Sequence, residues 1–144
     1  MPKQLCTFYI ADLFLGLDVL AVQEVLRASE LARVPLAPRH VEGLLNLRGQ
    51  IVTAIDLRRR LGLAPRETGA ESMFMIVRTD NAFVALIVDR VGDVIEVDPG
   101  SFEEPPDTLR GAIRGLLSGV HKLPGSLLHI LDADQTAAVP AHAA

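Results

Sequence analysis

In Glu42-Gly43-Leu44-Leu45-Asn46-Leu47-Arg48-Gly49-Gln50-Ile51-Val52-Thr53-Ala54-Ile55-Asp56-Leu57-Arg58-Arg59-Arg60-Leu61-Gly62, two apolar runs flank the dipeptide Arg48-Gly49. Glycine at that point lets the backbone turn with φ > 0. Leu44 to Leu47 and Ile51 to Ile55 are therefore expected to pair as adjacent antiparallel strands, with Arg48 held near the bend. Asp56 then precedes Leu57-Arg58-Arg59-Arg60-Leu61, where a carboxylate can cap the first turn of a short helix and Gly62 can end it. The run reads as strand, turn, strand, helix.

The same signals recur on either side. Leu5 to Ile10 and Leu13 to Leu17 form a predicted hairpin around Ala11-Asp12, Met73 to Arg78 and Ala82 to Val88 another around Thr79-Asp80-Asn81, and Arg90 to Val97 a further strand. Val120 to Leu123 and Leu127 to Leu131 flank Pro124-Gly125-Ser126, whose proline and glycine supply turn dihedrals. Val34-Pro35-Leu36-Ala37-Pro38 cannot lie in a central strand, because each proline lacks an amide donor. Ala64 to Ser72 and Pro99 to Thr108 read as the longer polar connections. Further short helices are expected around Val19 to Val22 and from Asp132 towards Ala138.

Short apolar runs at fairly even spacing point to a mainly all-β fold. Ala82 to Val88 is apolar on both faces and Met73 to Val77 nearly so, which means that both faces of these strands must be covered. A small barrel hides its inner face by closing on itself; the outer face needs a second layer, most simply another barrel from the same chain. The expected architecture is two small β-barrels packed together with short helices, residues 1–144 forming one domain and residues 137–144 a frayed end.

At 144 residues, 49% of them hydrophobic, the chain has ample material for one core. Its formal charge of −4 lacks the basic excess that neutralising a phosphate backbone needs, and aromatics at 4% with no tryptophan offer no stacking platform for bases. The single cysteine, Cys6, excludes an internal disulfide and suits a buried thiol in a reducing cytosol. No apolar run approaches the roughly 18 to 20 residues needed to span a bilayer. Gln4, Thr7 and Asp12 also interrupt the N-terminal run before it resembles a signal-peptide core. The expectation is a cytoplasmic protein without direct membrane insertion.

Glu24 lies within the apolar segment Val19 to Leu26, so its carboxylate must reach water or find a cation. A Glu24–Arg48 pair is expected, tying two strand regions together, strongly if buried and weakly if exposed. Arg58, Arg59 and Arg60 read as a solvated helix face, with nucleic-acid contact as the alternative. His121 and His129 could face each other across the last hairpin, yet no Cys, His or Asp set completes a metal site around them. There is no G-x-S-x-G turn, Cys–His spacing or phosphate-cradling loop, and the carboxylates fall in turns and loops where capping explains them. Neither an enzyme nor a cofactor is expected; a small hydrolase using a carboxylate or Cys6 is the remaining catalytic alternative. Ordinary turn and bulge geometry accounts for Gly43 and Gly49. A further reading has them line, with Val22, Val25 and Leu47, a groove that accepts a helical hairpin tip.

The N-L-R-G hairpin of Asn46 to Gly49, its second strand, and the I-D-L-R-R-R run of Ile55 to Arg60 resemble the CheW family, the coupling proteins of bacterial chemotaxis. Gly16 to Val25, Val84 to Val94 and Leu127 to Asp132 look like the family's first hairpin with its V-Q-E segment, its central strands and its last strand, so the likeness covers nearly the whole chain. The resemblance implies two SH3-like five-stranded subdomains sharing a hydrophobic seam. It also implies a non-catalytic adaptor, without cofactor or metal, that couples the cytoplasmic tips of methyl-accepting chemoreceptors to the regulatory domain of a CheA-type histidine kinase. Such an adaptor is recruited to membrane-associated receptor arrays. By matching positions, Val22, Gln23, Glu24, Gly43, Asn46, Leu47, Arg48 and Gly49 are implied in receptor coupling or in shaping the groove between barrels. The matches assign no kinase-binding residues. Thr53 stands where the family's second hairpin strand often has proline, and Ala85 where glycine is frequent. The main adaptor and a paralogue in a non-flagellar chemosensory array both stay open.

Overall fold

Runs bounded by turn residues become strands throughout the computed structural model, which describes residues 2–80, 82–107 and 111–138. The strands are β1 (Lys3–Ile10), β2 (Leu13–Asp18), β3 (Val22–Arg27), β4 (Val41–Leu47), β5 (Gln50–Asp56), β6 (Met73–Arg78), β7 (Phe83–Val88), β8 (Arg90–Val97), β9 (Phe102–Glu103), β10 (Leu117–Leu123) and β11 (Ser126–Leu131). Three short helices interrupt them: α1 (Leu57–Arg60) after β5, α2 (Ala112–Leu116) before β10 and α3 (Ala133–Ala137) after β11. Asp56 and Asp132 cap α1 and α3, accepting the amides of Arg58 and Gln135 at 3.0 Å each. The predicted all-β character holds.

The strands make two sheets, ordered β8-β1-β2-β11-β10-β9 and β3-β6-β7-β5-β4. Each contains two antiparallel hairpins joined side by side through one parallel pair, β2 with β11 in the first and β5 with β7 in the second, and an extra strand flanks one hairpin. The first sheet has five long strands plus the two-residue β9; the second has five. The second is one continuous segment, whereas the first is drawn from both ends of the chain.

Pleating sorts the side chains of β6 and β7 into two cores. Phe74, Ile76, Ala85 and Ile87 pack with Leu45, Val52 and Ala54 inside the second sheet. Met75, Val77, Val84, Leu86 and Val88 point the other way, onto Phe8, Ile10, Leu15 and Leu17 of the first sheet, with Leu57 and Leu131 in the same seam. Leu5, Val97, Leu128 and Ile130 form a third cluster belonging to the first sheet alone. Strands apolar on both faces thus have a second layer, supplied by the same chain.

Several local expectations need correction. Pro99 to Thr108 is more than a polar connection: Asp98 caps a 3-10 turn at Pro99–Ser101, which leads into β9, and Thr108 lies outside the described residues. Asn81, in the expected β6–β7 turn, also lies outside them. Ala137, at the start of the expected frayed end, closes α3 and packs on the seam, and residues 139–144 are not among those described. The last hairpin turns through Pro124-Gly125 alone, because Leu123 already pairs with Ser126. His121 therefore stands opposite Leu128 and His129 opposite Val120, so the two imidazoles lie on opposite faces rather than facing each other. One residue fewer in the loop turns every side chain over.

Of the arginines expected on a solvated helix face, Arg59 is exposed, whereas Arg58 and Arg60 are partly buried, and each of the three has a partner in this chain. α1 is a single turn, so successive side chains leave it about 100° apart and reach three different partners. Arg58 makes a two-pronged contact with Asp89, Nε to Oδ1 at 3.0 Å and Nη2 to Oδ2 at 2.5 Å, with both side chains only 17% exposed. Arg59 meets Glu42 at 3.1 Å. Arg60 donates to the carbonyls of Thr136 and Gln135 at 3.0 and 2.8 Å, serving the C-terminal end of α3. Each is paired within the chain, Arg59 at the surface.

Asp89 is where β7 of the second sheet hands the chain to β8 of the first, and it ties both together. Its amide donates to the Tyr9 carbonyl at 3.1 Å, its Oδ2 accepts the Ala11 amide at 2.7 Å, and Arg66 lies 3.4 Å from its Oδ1. Burial pushes the Asp89 carboxyl up, but the hydrogen bonds from Arg58 and the Ala11 amide outweigh it and hold the group below its ordinary value. Replacing Asp89 with alanine strands two largely buried guanidinium groups, and urea unfolding at pH 7 should show a loss of about 3 kcal/mol. Because the folded carboxyl is the stronger acid, this contribution is complete above the unfolded-state pKa and fades as pH falls through the folded one. The gap between parent and Asp89→Ala should therefore close in acid, which urea midpoints measured over descending pH will report.

Candidate protein-docking site

β3 and β4 are the two outer strands of the second sheet, and no backbone ladder joins them directly. Side chains join them, and an isolated bridge ties the chain between them to β4. Arg48, at the tip of the β4–β5 hairpin, reaches back to Glu24 on β3: Nη1 donates to Oε1 at 3.2 Å and Nη2 to Oε2. Further along, Ala32 and Leu44 exchange backbone hydrogen bonds at 2.9 and 2.8 Å.

The tip geometry explains the N-L-R-G signature. Arg48 and Gly49 both take left-handed dihedrals, φ +49° and +88°, as a tight two-residue hairpin turn requires. Asn46 supports the turn by accepting the Gly49 amide on Oδ1 at 3.0 Å. Leu47 packs against the inner core of the second sheet and anchors the tip from below.

On β3 the pairing with β6 skips from Val22–Val77 to Glu24–Ile76, so Gln23 is the extra residue of a bulge. The bulge throws Gln23 outward, where its Oε1 accepts from Arg78 at 3.4 Å, and sets Glu24 to face the hairpin tip. Val22 lies on the margin of the shared seam. Between tip and bulge lies a shallow depression of about 180 Å³, lined by Gln23, Leu47, Arg48, Gln50, Ile76 and Phe83. Val22, Gln23, Glu24, Asn46, Leu47, Arg48 and Gly49 thus gather at one end of the second sheet.

Gly43 does not join them. It is buried, and a Cβ there would fall 2.6 Å from the Ala32 carbonyl oxygen and 2.8 Å from Leu31 Cβ. Its role is to let the 31–32 segment press against β4.

Hydrogen bonds from Arg48 hold the Glu24 carboxyl below the usual carboxylate range, against a smaller opposing effect of partial burial, and Glu24 in turn raises the arginine. The pair persists as an ion pair throughout the neutral range. Sequence reasoning missed Gln50 and Phe83 as walls of the depression. It placed Ile51 on a strand without assigning its face, and Ile51 is 64% exposed. The inward turn of Val52 and Ala54 carried the signal, since the pleat then sends Ile51 the other way. Among the described residues, no group of three or more His, Cys, Asp or Glu side chains is placed to hold a metal ion, and no helix is long and apolar enough to cross a membrane.

Comparison with known proteins gives one consistent result. The family model for the CheW-like domain matches residues 4–140. The chemotaxis protein CheW of Treponema pallidum is 32% identical over 133 residues, covering 90% of this chain and 78% of that protein. The chemotaxis protein CheW of Thermotoga maritima is 29% identical over 134 residues, covering 92% and 85%. The crystal structure of the scaffolding protein TtCheW from Thermoanaerobacter tengcongensis superposes with a TM-score of 0.87 at 32% identity, over 97% of this chain and 95% of that one.

Two measurements probe the site's construction. Gly43→Ala should lower stability by about 1–3 kcal/mol in urea unfolding, through the clash with the 31–32 segment. A double-mutant cycle on Glu24→Ala and Arg48→Ala should show a coupling that shrinks as salt rises from about 0.05 to about 1 M, as an open ion pair requires.

Proposed function

The chain belongs to the CheW-like domain family, and on that membership we propose that it is the coupling component of a chemosensory array. It joins the cytoplasmic tips of chemoreceptors to the regulatory domain of a CheA-type histidine kinase. The family is one of non-catalytic scaffolds, so positioning is the whole of the work. In this reading the protein is cytoplasmic and reaches the membrane only by way of the receptors it holds.

The observation that carries the reading is the gathering of the V-Q-E bulge and the N-L-R-G tip around one depression, with Arg48 and Glu24 locking the two strands that bear them. A rigid, half-apolar surface with a polar rim suits the tip of a helical hairpin, which presents apolar side chains on one face and charges beside them. Gln23, Leu47 and Arg48 touch the receptor; Asn46 and Gly49 hold the turn in shape. The kinase meets a different surface, so one protein can hold both at once. Nucleic-acid binding is the less supported reading, because Arg58, Arg59 and Arg60 each already have partners within the chain.

Co-sedimentation with receptor-containing vesicles and purified kinase tests the proposal. The parent protein should bring the kinase down with the vesicles. Arg48→Glu should reduce receptor-bound protein at least about tenfold, the loss of an interface hot spot, while leaving kinase binding in solution unchanged. Failure of the parent to retain either partner would reject the coupling role.

A further inference from the structure

β9 touches the rest of its sheet at two positions only, Glu103 opposite Val120 and Phe102 opposite His121 on β10. Gly119 makes room for it: a Cβ there would fall 2.2 Å from Phe102 Cζ and 2.5 Å from the Glu103 carbonyl oxygen, so the ring of Phe102 lies over bare backbone. That ring meets His121 edge-on, centroids 5.4 Å apart and planes at 63°.

His121 is 2% exposed, and its Nδ1 lies 2.8 Å from Ser101 Oγ. The Ser101 hydroxyl donates its hydrogen to the Asp98 carbonyl at 2.8 Å, leaving only lone pairs for the imidazole. Nδ1 therefore carries the proton of the neutral ring, and Nε2 is the basic nitrogen. The ring borders a cavity of about 240 Å³ whose walls include Leu5, Pro99 and Ile130, with Lys3 as the one charged side chain.

We propose that β9 is an acid-released latch: neutral His121 holds the 98–103 strap against β10, and protonation of Nε2 frees the strap and opens the backbone edge of β10.

The charges around the ring decide the sign. Lys3, from β1, opposes a second positive charge, although it lies 3.5 Å from Asp18. Asp98, at the head of the strap, favours the imidazolium, but its Oδ1 is occupied by the Gly100 amide at 2.9 Å. Glu103 on β9 is paired with Lys122 on β10 at 3.5 Å, and β11 presents the apolar Leu128 opposite His121. Burial first, and Lys3 second, outweigh Asp98 and hold the imidazole below the ordinary histidine value. With the strap undocked the ring regains water and binds its proton more tightly. Docking is therefore complete above the ordinary histidine pKa and is lost as pH falls below it.

Amide hydrogen exchange tests the latch on the full chain at about pH 7.5 and about pH 5.5, with each rate divided by its unstructured-peptide rate at that pH. Protection of the amides of Glu103 and Val120, which bond each other across the ladder, should fall on the order of tenfold at the lower pH, while Ile76 and Leu86 in the second sheet keep theirs. His121→Phe, which retains an aromatic ring against Phe102, should abolish the pH dependence. Unchanged protection in the parent, or the same acid loss in the variant, overturns the proposal. Should the variant not fold, the His121 ring titration followed by NMR in the parent decides. A midpoint at or above that of an exposed histidine overturns the latch, and a lower one coinciding with loss of strap protection supports it.

Discussion

Successive side chains of β7 alternate between two cores: Ala85 and Ile87 go inward to the second sheet, Val84, Leu86 and Val88 outward to the seam, and β6 does the same beside it. Burying each of the larger side chains contributes about 1.5–3 kcal/mol, and the buried positions of this pair, 74–77 and 84–88, cannot take a polar group without leaving it unpartnered. β6 and β7 must therefore sit in the middle of their own sheet and against the other one. That requirement fixes where β1 and β2 pack. Everything else, including the ends where the hairpin tips project, is arranged around this two-sided pair.

Polar contacts finish what the apolar layers begin, and they do so where strands change owners. Asp89 stands at the passage from one sheet to the other and gathers an amide from the first sheet and a guanidinium from α1 of the second. Arg60 links α1 to the last carbonyls of α3. Arg48 links the outer strands of the second sheet. Two of these three arginines come from one helical turn, which shows how much orientation a single capped turn can distribute. For a member of a family of non-catalytic scaffolds, such fixing of surfaces is the relevant output of the fold.

Local features were legible in the sequence wherever one residue has one physical solution. Arg48-Gly49 between apolar runs permits only a tight turn, Asp56 and Asp132 ahead of helical runs act as caps, and the two-sided β6–β7 pair demands a second layer. What the sequence hid depends on partners far along the chain. Nothing local says that β2 lies parallel to β11, or that Arg58 will find Asp89. The His121–His129 register turned on whether Ser126 belongs to the loop or the strand, a single residue that reverses both faces. Gly43 looked like its neighbour Gly49, yet one answers to the approach of the 31–32 segment and the other to a dihedral angle.

The second sheet occupies an uninterrupted stretch of chain inside the first. During synthesis, which runs from the N-terminus, β1 and β2 leave the ribosome before the strands that will flank them exist, whereas β3 to β7 become complete as a set. The early hairpin carries Phe8, Ile10, Leu15 and Leu17, whose cover includes β6 and β7. The middle of the polypeptide thus serves as a shelter for its own beginning until the closing strands are made.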